Sequence, residues 1–170
     1  TPTGGDILFI ESTAMAGKKG LTLTGSLGDV MKESAQAAFS YIRSHAKDLD
    51  VTPSFFDKHD VHIHVPSGAI AKDGPSAGVA LVASLISLLR NQPLPPEIAM
   101  TGEITLTGRV LPVGGIREKL LAARRAGIRV VLLPVQNAKD TIELPKEVLE
   151  DLTLQFVESL DEVIERLLIN

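Results

Sequence analysis

The densest run of chemically capable residues in this 170-residue chain is Lys72-Asp73-Gly74-Pro75-Ser76-Ala77-Gly78. Pro75 lacks an amide hydrogen and holds φ at about −65°, so it suits the first turn of a helix, with Asp73 or Gly74 as the cap. The spacing predicts a helix from Pro75 to Arg90 with Ser76 in its opening turn, where unpaired N–H groups and the positive end of the dipole face outward. A nucleophilic serine there would form its oxyanion beside ready donors. Ala77 and Gly78 are small enough to admit a substrate or a neighbouring backbone. The same run is also how an ordinary capped helix begins, and alone it does not separate the two readings.

A serine nucleophile needs a base. His62 and His64 are two apart and share one face of a strand. With no further clustered ligand they read as a satisfied, partly buried pair rather than a metal site. His45 and His59 lie in polar surroundings and read as solvated. A Ser/His/Asp triad stays open on spacing, although no Gly-x-Ser-x-Gly elbow surrounds Ser76. The lysine of Ile116-Arg117-Glu118-Lys119-Leu120-Leu121-Ala122-Ala123 is a second candidate. At about 100° per residue, with Ile116 at zero, Leu120 falls near 40°, Ala123 near 340° and Lys119 near 300°. Lys119 therefore lies within the apolar stripe, away from Arg117, Arg124 and Arg125. Desolvation there would lower its pKa towards the range where a neutral amine accepts a proton. A snorkelling lysine satisfies the same pattern. Taken together, Ser76 and Lys119 are the two halves of a Ser–Lys dyad.

The elements that must position these residues follow from periodicity and turn chemistry. Asp6–Ser12 and Lys19–Thr24 read as strands, joined as a hairpin by the turn at Gly17-Lys18-Lys19-Gly20. Ser26 is placed to cap a helix from Leu27 to Lys47. Asp60–Val65 alternates as a half-buried strand does, and Pro66–Gly74 is a loop. Met100–Val113 is strand-like, interrupted at Gly102, Gly108 and Pro112. Helix Ile116–Ala126, strand Arg129–Leu133, helix Ala138–Glu150, strand Thr153–Val157 and helix Asp161–Leu168 follow. Gly127 ends the first of these helices, and Ser159 with Glu162 forms a capping box for the last. This is an α+β chain, β-rich in its first half and αβαβα in its second.

Composition narrows the function. Seventeen Lys and Arg stand against twenty-one Asp and Glu, a net charge of −4, which argues against a nucleic-acid surface. Cysteine is absent, so disulfides, thiol nucleophiles and cysteine-ligated zinc are excluded. The longest apolar run, Val79–Leu89, is about half of what a membrane helix needs. No charged-then-apolar leader opens the chain, which starts at Thr1 as a piece of a longer polypeptide would. Gly17-Lys18-Lys19 and Gly25-Ser26-Leu27-Gly28 both miss the phosphate-loop patterns. Gly114-Gly115 could hold an anion, but a tight strand-to-helix turn explains it equally well.

The segment Pro66 to Gly78, of the form Pro-x-Gly-Ala-x-x-Lys-Asp-Gly-Pro-Ser-Ala-Gly, resembles the active-site signature of Lon proteases. Met100–Leu106, Gly108–Gly115, Arg117–Gly127 and Gly28–Ala38 resemble further motifs of that family. The similarity runs from about Gly4 to the C-terminus and is of the bacterial and mitochondrial type. It implies Ser76 as nucleophile, Lys119 as general base and Thr101 as the hydroxyl that orients the lysine. Asp73 is implied to contact the lysine in a closed site, with Asp73, Gly74 and Ser76 forming the active-site and oxyanion loop.

The implied fold is a compact Lon-type peptidase domain related to the ribosomal protein S5 domain 2-like superfamily, spanning residues 1–170. The ATPase and N-terminal substrate-recognition regions of the family would lie outside this chain. The implied activity is that of a cytoplasmic serine endopeptidase acting on unfolded, damaged or regulatory proteins within a homohexameric ring. No cofactor or metal is implied for this domain, ATP and magnesium belonging to the ATPase region, and no nucleic-acid or membrane partner is expected. A catalytically silent scaffold of the same fold and a Ser–Lys esterase or amidase are the rival readings.

Overall fold

The computed structural model describes residues 8–18, 20–66 and 74–168. Strand β3 (His59–His64) is central in the first sheet, with β1 (Glu11–Ala16) antiparallel on one side and β2 (Leu21–Thr24) parallel on the other. The hairpin expected between β1 and β2 is therefore not formed. Val61 and Ile63 are fully buried, which makes β3 the most deeply buried strand of the three, and it takes the doubly paired position. Its Asp60 carboxylate accepts the amides of Lys18 and Gly20 at 2.9 and 2.8 Å, which bends the β1–β2 connection around the end of β3. Strand β1 also lies further along the chain than Asp6–Ser12, because its partners run from Glu11 opposite His64 to Ala16 opposite His59; residues 1–7 and Lys19 lie outside the described residues.

Helix α1 (Asp29–Ser44) buries Met31, Ala35, Ala38, Phe39, Tyr41 and Ile42, the helical spacing read from the sequence. Its N-cap is Gly28 rather than Ser26, which lies two residues earlier in the left-handed region with φ +58°. A short helix α2 (Phe55–Lys58) precedes β3. Helix α3 (Gly78–Arg90) packs against α1, and the sheet and these two helices enclose the larger core around Ile42, Val61, Ile63, Leu81 and Leu85.

Strands β4 (Ile98–Met100), β7 (Val130–Pro134) and β8 (Thr153–Val157) form a parallel sheet in the order β4-β7-β8. It is covered on both faces, as parallel sheets require. Leu132 points into the larger core, while Val131 and Leu133 join a second one with Ile116, Leu120 and Val148. That second layer comes from α4 (Ile116–Arg125) and α5 (Lys146–Asp151). Strands β5 (Glu103–Ile104) and β6 (Val110–Leu111) form a two-stranded ladder, and α6 (Leu160–Leu168) closes the element order. The chain is thus α+β with mixed sheets.

The expected helix Ala138–Glu150 is broken into a 3₁₀ segment, Val135–Thr141, and α5. Pro145 is the cause: it has no N–H to continue a helix and pushes its predecessor out of the helical region. At α6 the Glu162 amide donates to Ser159 Oγ at 3.3 Å, half of the expected capping box. The Glu162 carboxylate reaches back one residue further than expected, to the Glu158 amide at 3.2 Å. Gly127 follows α4 with a left-handed φ of +79°, as its C-terminal position predicts.

Candidate active site

Helix α3 begins at Gly78, so Ser76 stands in the turn before the helix and not in its first turn as expected. The reason lies on a neighbouring segment of the same chain. The Ser76 carbonyl accepts the Gly102 amide at 2.9 Å and the Thr101 hydroxyl at 3.2 Å, while the Val79 amide donates to Gly102 O at 3.1 Å. Those bonds take the groups that would have extended α3 by another turn. The first helical bond is then Leu81 N–H to Ala77 O, at 2.9 Å.

Two glycines permit this close approach. A Cβ on Gly102 would sit 2.7 Å from Val79 Cγ2 and 2.8 Å from Val110 Cγ1. One on Gly78 would sit 2.9 Å from Ile104 Cγ1. The serine turn is thus pressed against the β4–β5 connection with no room for side chains at either point. Gly102 reads in the sequence only as a strand breaker; its clamping of Ser76 depends on a contact 26 positions away and leaves no local signal.

Ser76, Thr101 and Lys119 line one cleft of about 340 Å³. Its remaining walls are largely apolar, among them Ile98, Met100, Leu120 and Val131, with Leu8 and Phe9 at exposed positions on it. Thr101 is 8% exposed, whereas Ser76 and Lys119 are half-buried. Burial lowers the Lys119 pKa below the ordinary lysine value, because an ammonium loses hydration there that a neutral amine does not need.

Lys119 sits on α4 beside Ile116 and Leu120, which belong to the second core, as the helical angles predict. Its Nζ donates to Gly114 O at 2.8 Å. The backbone amide of Lys119 donates to Gly115 O at 3.0 Å, and Gly115 is left-handed with φ +70° at the N-cap of α4. Gly114-Gly115 is therefore the tight turn of the two readings offered by the sequence. The Thr101 hydroxyl is engaged with the Ser76 carbonyl and Nζ with Gly114, so among the described residues no hydrogen bond joins Nζ to Ser76 Oγ or to Thr101. Gly74 has φ +111° and open space around it. Asp73 lies outside the described residues.

A further buried polar group holds the residue before Gly114. Asn137, 3% exposed, accepts the Val113 amide through Oδ1 at 3.0 Å and donates from Nδ2 to Val113 O at 2.8 Å. In the sequence it is an unremarked polar residue between a strand and an expected helix.

The histidines stand apart from this cleft. His62 Nε2 and His64 Nδ1 meet the Thr24 hydroxyl at 2.9 and 2.6 Å, on one face of β3 as expected. Among the described residues no group of three or more His, Cys, Asp or Glu is arranged to hold a metal ion. His45 and His59 are not simply solvated. Each ring stacks on a neighbour, Tyr41 and Phe55 respectively, and each Nδ1–H donates to that neighbour's carbonyl, because both close a helix end. No helix among the described residues is long and apolar enough to cross a membrane.

Comparison with known proteins adds a family. The family model described as the Lon protease (S16) C-terminal proteolytic domain matches residues 1–170. The chain is 60% identical over 165 residues to a Lon protease of Desulfosudis oleivorans, covering 97% of this chain and 20% of that protein. It is 57% identical over 169 residues to Lon protease 2 of Thermus thermophilus, covering 99% and 21%, and 59% identical over 164 residues to a Lon protease of Aquifex aeolicus, covering 96% and 21%. The chain spans about a fifth of the length of these curated relatives.

Proposed function

The chain belongs to the serine peptidase family of Lon protease (S16) C-terminal proteolytic domains, and on that premise we propose that it cleaves peptide bonds with Ser76 as nucleophile and Lys119 as general base. The observation that carries this reading is the half-buried Lys119 amine, its pKa lowered by burial, lining the same cleft as Ser76.

The steps follow from that pairing. Neutral Lys119 takes the Ser76 proton as Oγ bonds to the scissile carbonyl carbon, forming a tetrahedral oxyanion. The Ser76 amide, helped by Gly74 or Asp73, donates to the oxyanion; Pro75, without an N–H, contributes nothing. Lys119 then gives its proton to the leaving amine as the C–N bond breaks. Water, deprotonated by the same amine, releases the acyl group and restores Ser76. For the first step Nζ keeps one hydrogen on Gly114 O while its lone pair faces Ser76. Thr101 holds the serine through its carbonyl and, with a rotation of its hydroxyl, orients the lysine. Asp73 contacts the lysine in the closed site. The apolar cleft walls suit an apolar substrate side chain.

The wider assignments rest on family membership. The fold is of the ribosomal protein S5 domain 2-like type, a reading that the mixed sheets support. The working assembly is a homohexameric ring, cytoplasmic, degrading unfolded proteins fed to it by an ATP-dependent unfoldase on the same polypeptide. ATP and magnesium act there, and no cofactor is needed in this domain.

The test is cleavage of a fluorogenic peptide together with labelling by a serine-reactive phosphonate probe. Wild type is expected to cleave and to be labelled at Ser76, and Ser76→Ala to lose both. Labelling without peptide turnover would favour a small-molecule esterase or amidase, and absence of both a silent scaffold. Wild-type cleavage by Ser76→Ala would overturn the assignment.

A further inference from the structure

We propose that Asn137 is a positioning residue for the Lys119 amine, acting through the Val113–Gly114 peptide; the proposal rests on the Ser76–Lys119 reading above. Strand β6 ends at Leu111, and Pro112 has no N–H for a ladder. The Asn137 side chain supplies at Val113 both bonds that a neighbouring strand would have made, one accepted at 3.0 Å and one donated at 2.8 Å. Its second Nδ2 hydrogen goes to Asp140 Oδ2 at 2.8 Å, which fixes which end of the amide faces which group.

Gly114 is the next residue. It is exposed and has no side chain to anchor it. The direction of its carbonyl is set by Val113 on one side, held by Asn137, and by the left-handed Gly115 on the other. That carbonyl receives the Lys119 Nζ, and Gly115 O receives the Lys119 amide. Lys119 is therefore fixed at its backbone and at its tip by two adjacent residues, and Asn137 holds the residue that precedes them. A neutral amine has two hydrogens and one lone pair. Committing one hydrogen to Gly114 O restricts where the lone pair can point, which is what a general base requires.

A role confined to folding would make Asn137 equivalent to Thr141. Thr141 is also buried in the same 3₁₀ segment, but its hydroxyl donates to Ala138 O at 2.7 Å, within that segment. The experiment compares Asn137→Asp, Asn137→Ala and Thr141→Val with wild type in the full 170-residue chain. Asn137→Asp keeps the size and the acceptor for the Val113 amide but cannot donate to Val113 O, and so serves if Asn137→Ala does not fold. The readouts are the titration midpoint of Lys119, followed by ¹³Cε NMR and assigned by its loss in Lys119→Met, and kcat and KM for a fluorogenic peptide.

Both Asn137 variants are expected to raise the Lys119 midpoint towards the ordinary lysine value, as the released ammonium regains water. They are expected to lower kcat by about tenfold or more with little change in KM, while Thr141→Val leaves midpoint and kcat near wild type. An unmoved midpoint and kcat in folded Asn137→Asp overturns the proposal. If Ser76→Ala abolishes cleavage while Asn137→Asp leaves Lys119 unmoved, the dyad stands and the positioning role falls. If Asn137→Ala, which adds no charge, moves the midpoint while Ser76→Ala still cleaves, Asn137 orients the amine and the dyad falls.

Discussion

The hydroxyl of Thr101 donates to the carbonyl of Ser76 across 3.2 Å, alongside the bond from the Gly102 amide to the same oxygen. The serine is therefore located by its backbone, from a strand end 25 residues later, and among the described residues its Oγ has no hydrogen-bond partner. Thr101→Val should lower kcat by about tenfold, the scale expected when a reacting group is displaced, with KM little changed. Thr101→Ser should retain most of the activity. Equal loss in both variants would show that the methyl packing, not the hydroxyl, matters.

With Lys119 as the proposed base, the pH dependence of cleavage follows from its amine. Its amine must be neutral to accept the proton, so the rate should rise with pH through its pKa and level off above it. Burial lowers that pKa, so the midpoint of the acid limb should lie below the ordinary lysine value of about 10.4. Lys119→Arg should abolish cleavage, because a guanidinium stays protonated. Pre-steady-state acylation rates across the range give the midpoint. A rate independent of pH from about 6 to 10 removes this lysine as the base.

Gly102→Ala should be damaging to stability and activity together. Its Cβ would overlap side chains on two elements, Val79 of α3 and Val110 of β6. Overpacking of this kind costs about 1–3 kcal/mol, measurable by urea unfolding. Relief of the overlap would move α3 away from β5 and carry Ser76 with it, so peptide cleavage by the folded fraction should fall as well.

Asp60→Ala should separate stability from activity. It removes the acceptor of the Lys18 and Gly20 amides, and because water can reach them the loss should be about 0.5–1.5 kcal/mol. Asp60 lies on the first sheet, and the folded variant should cleave peptide as wild type does. Asp60→Asn, which keeps an acceptor oxygen, should lose less.

Local chemistry made much of this legible. Pro, Gly and apolar spacing marked α4, β7, β8 and α6 nearly to the residue, and the place of Lys119 at the edge of an apolar helix face followed from rotation alone. What escaped was decided by partners distant in sequence. β3 separates β1 from β2 because Val61 and Ile63 need cover on both sides. Ser76 drops out of α3 because Thr101 and Gly102 capture its carbonyl. Asn137 acquires its partner from Val113, 24 positions earlier. The roles proposed for Ser76 and Lys119 come from chemistry and family resemblance together; the helix expected to cradle the serine begins at Gly78, three residues after its expected start at Pro75.

Ser76 is braced by the larger core, through α3, and Lys119 by the smaller one, through α4. The two cores meet across β7 and β8, whose alternate side chains serve both. A newly made chain that has consolidated just one of these layers holds an alcohol or an amine, but not the two side by side. On the proposed dyad, competence to cut a peptide therefore waits until both layers have docked.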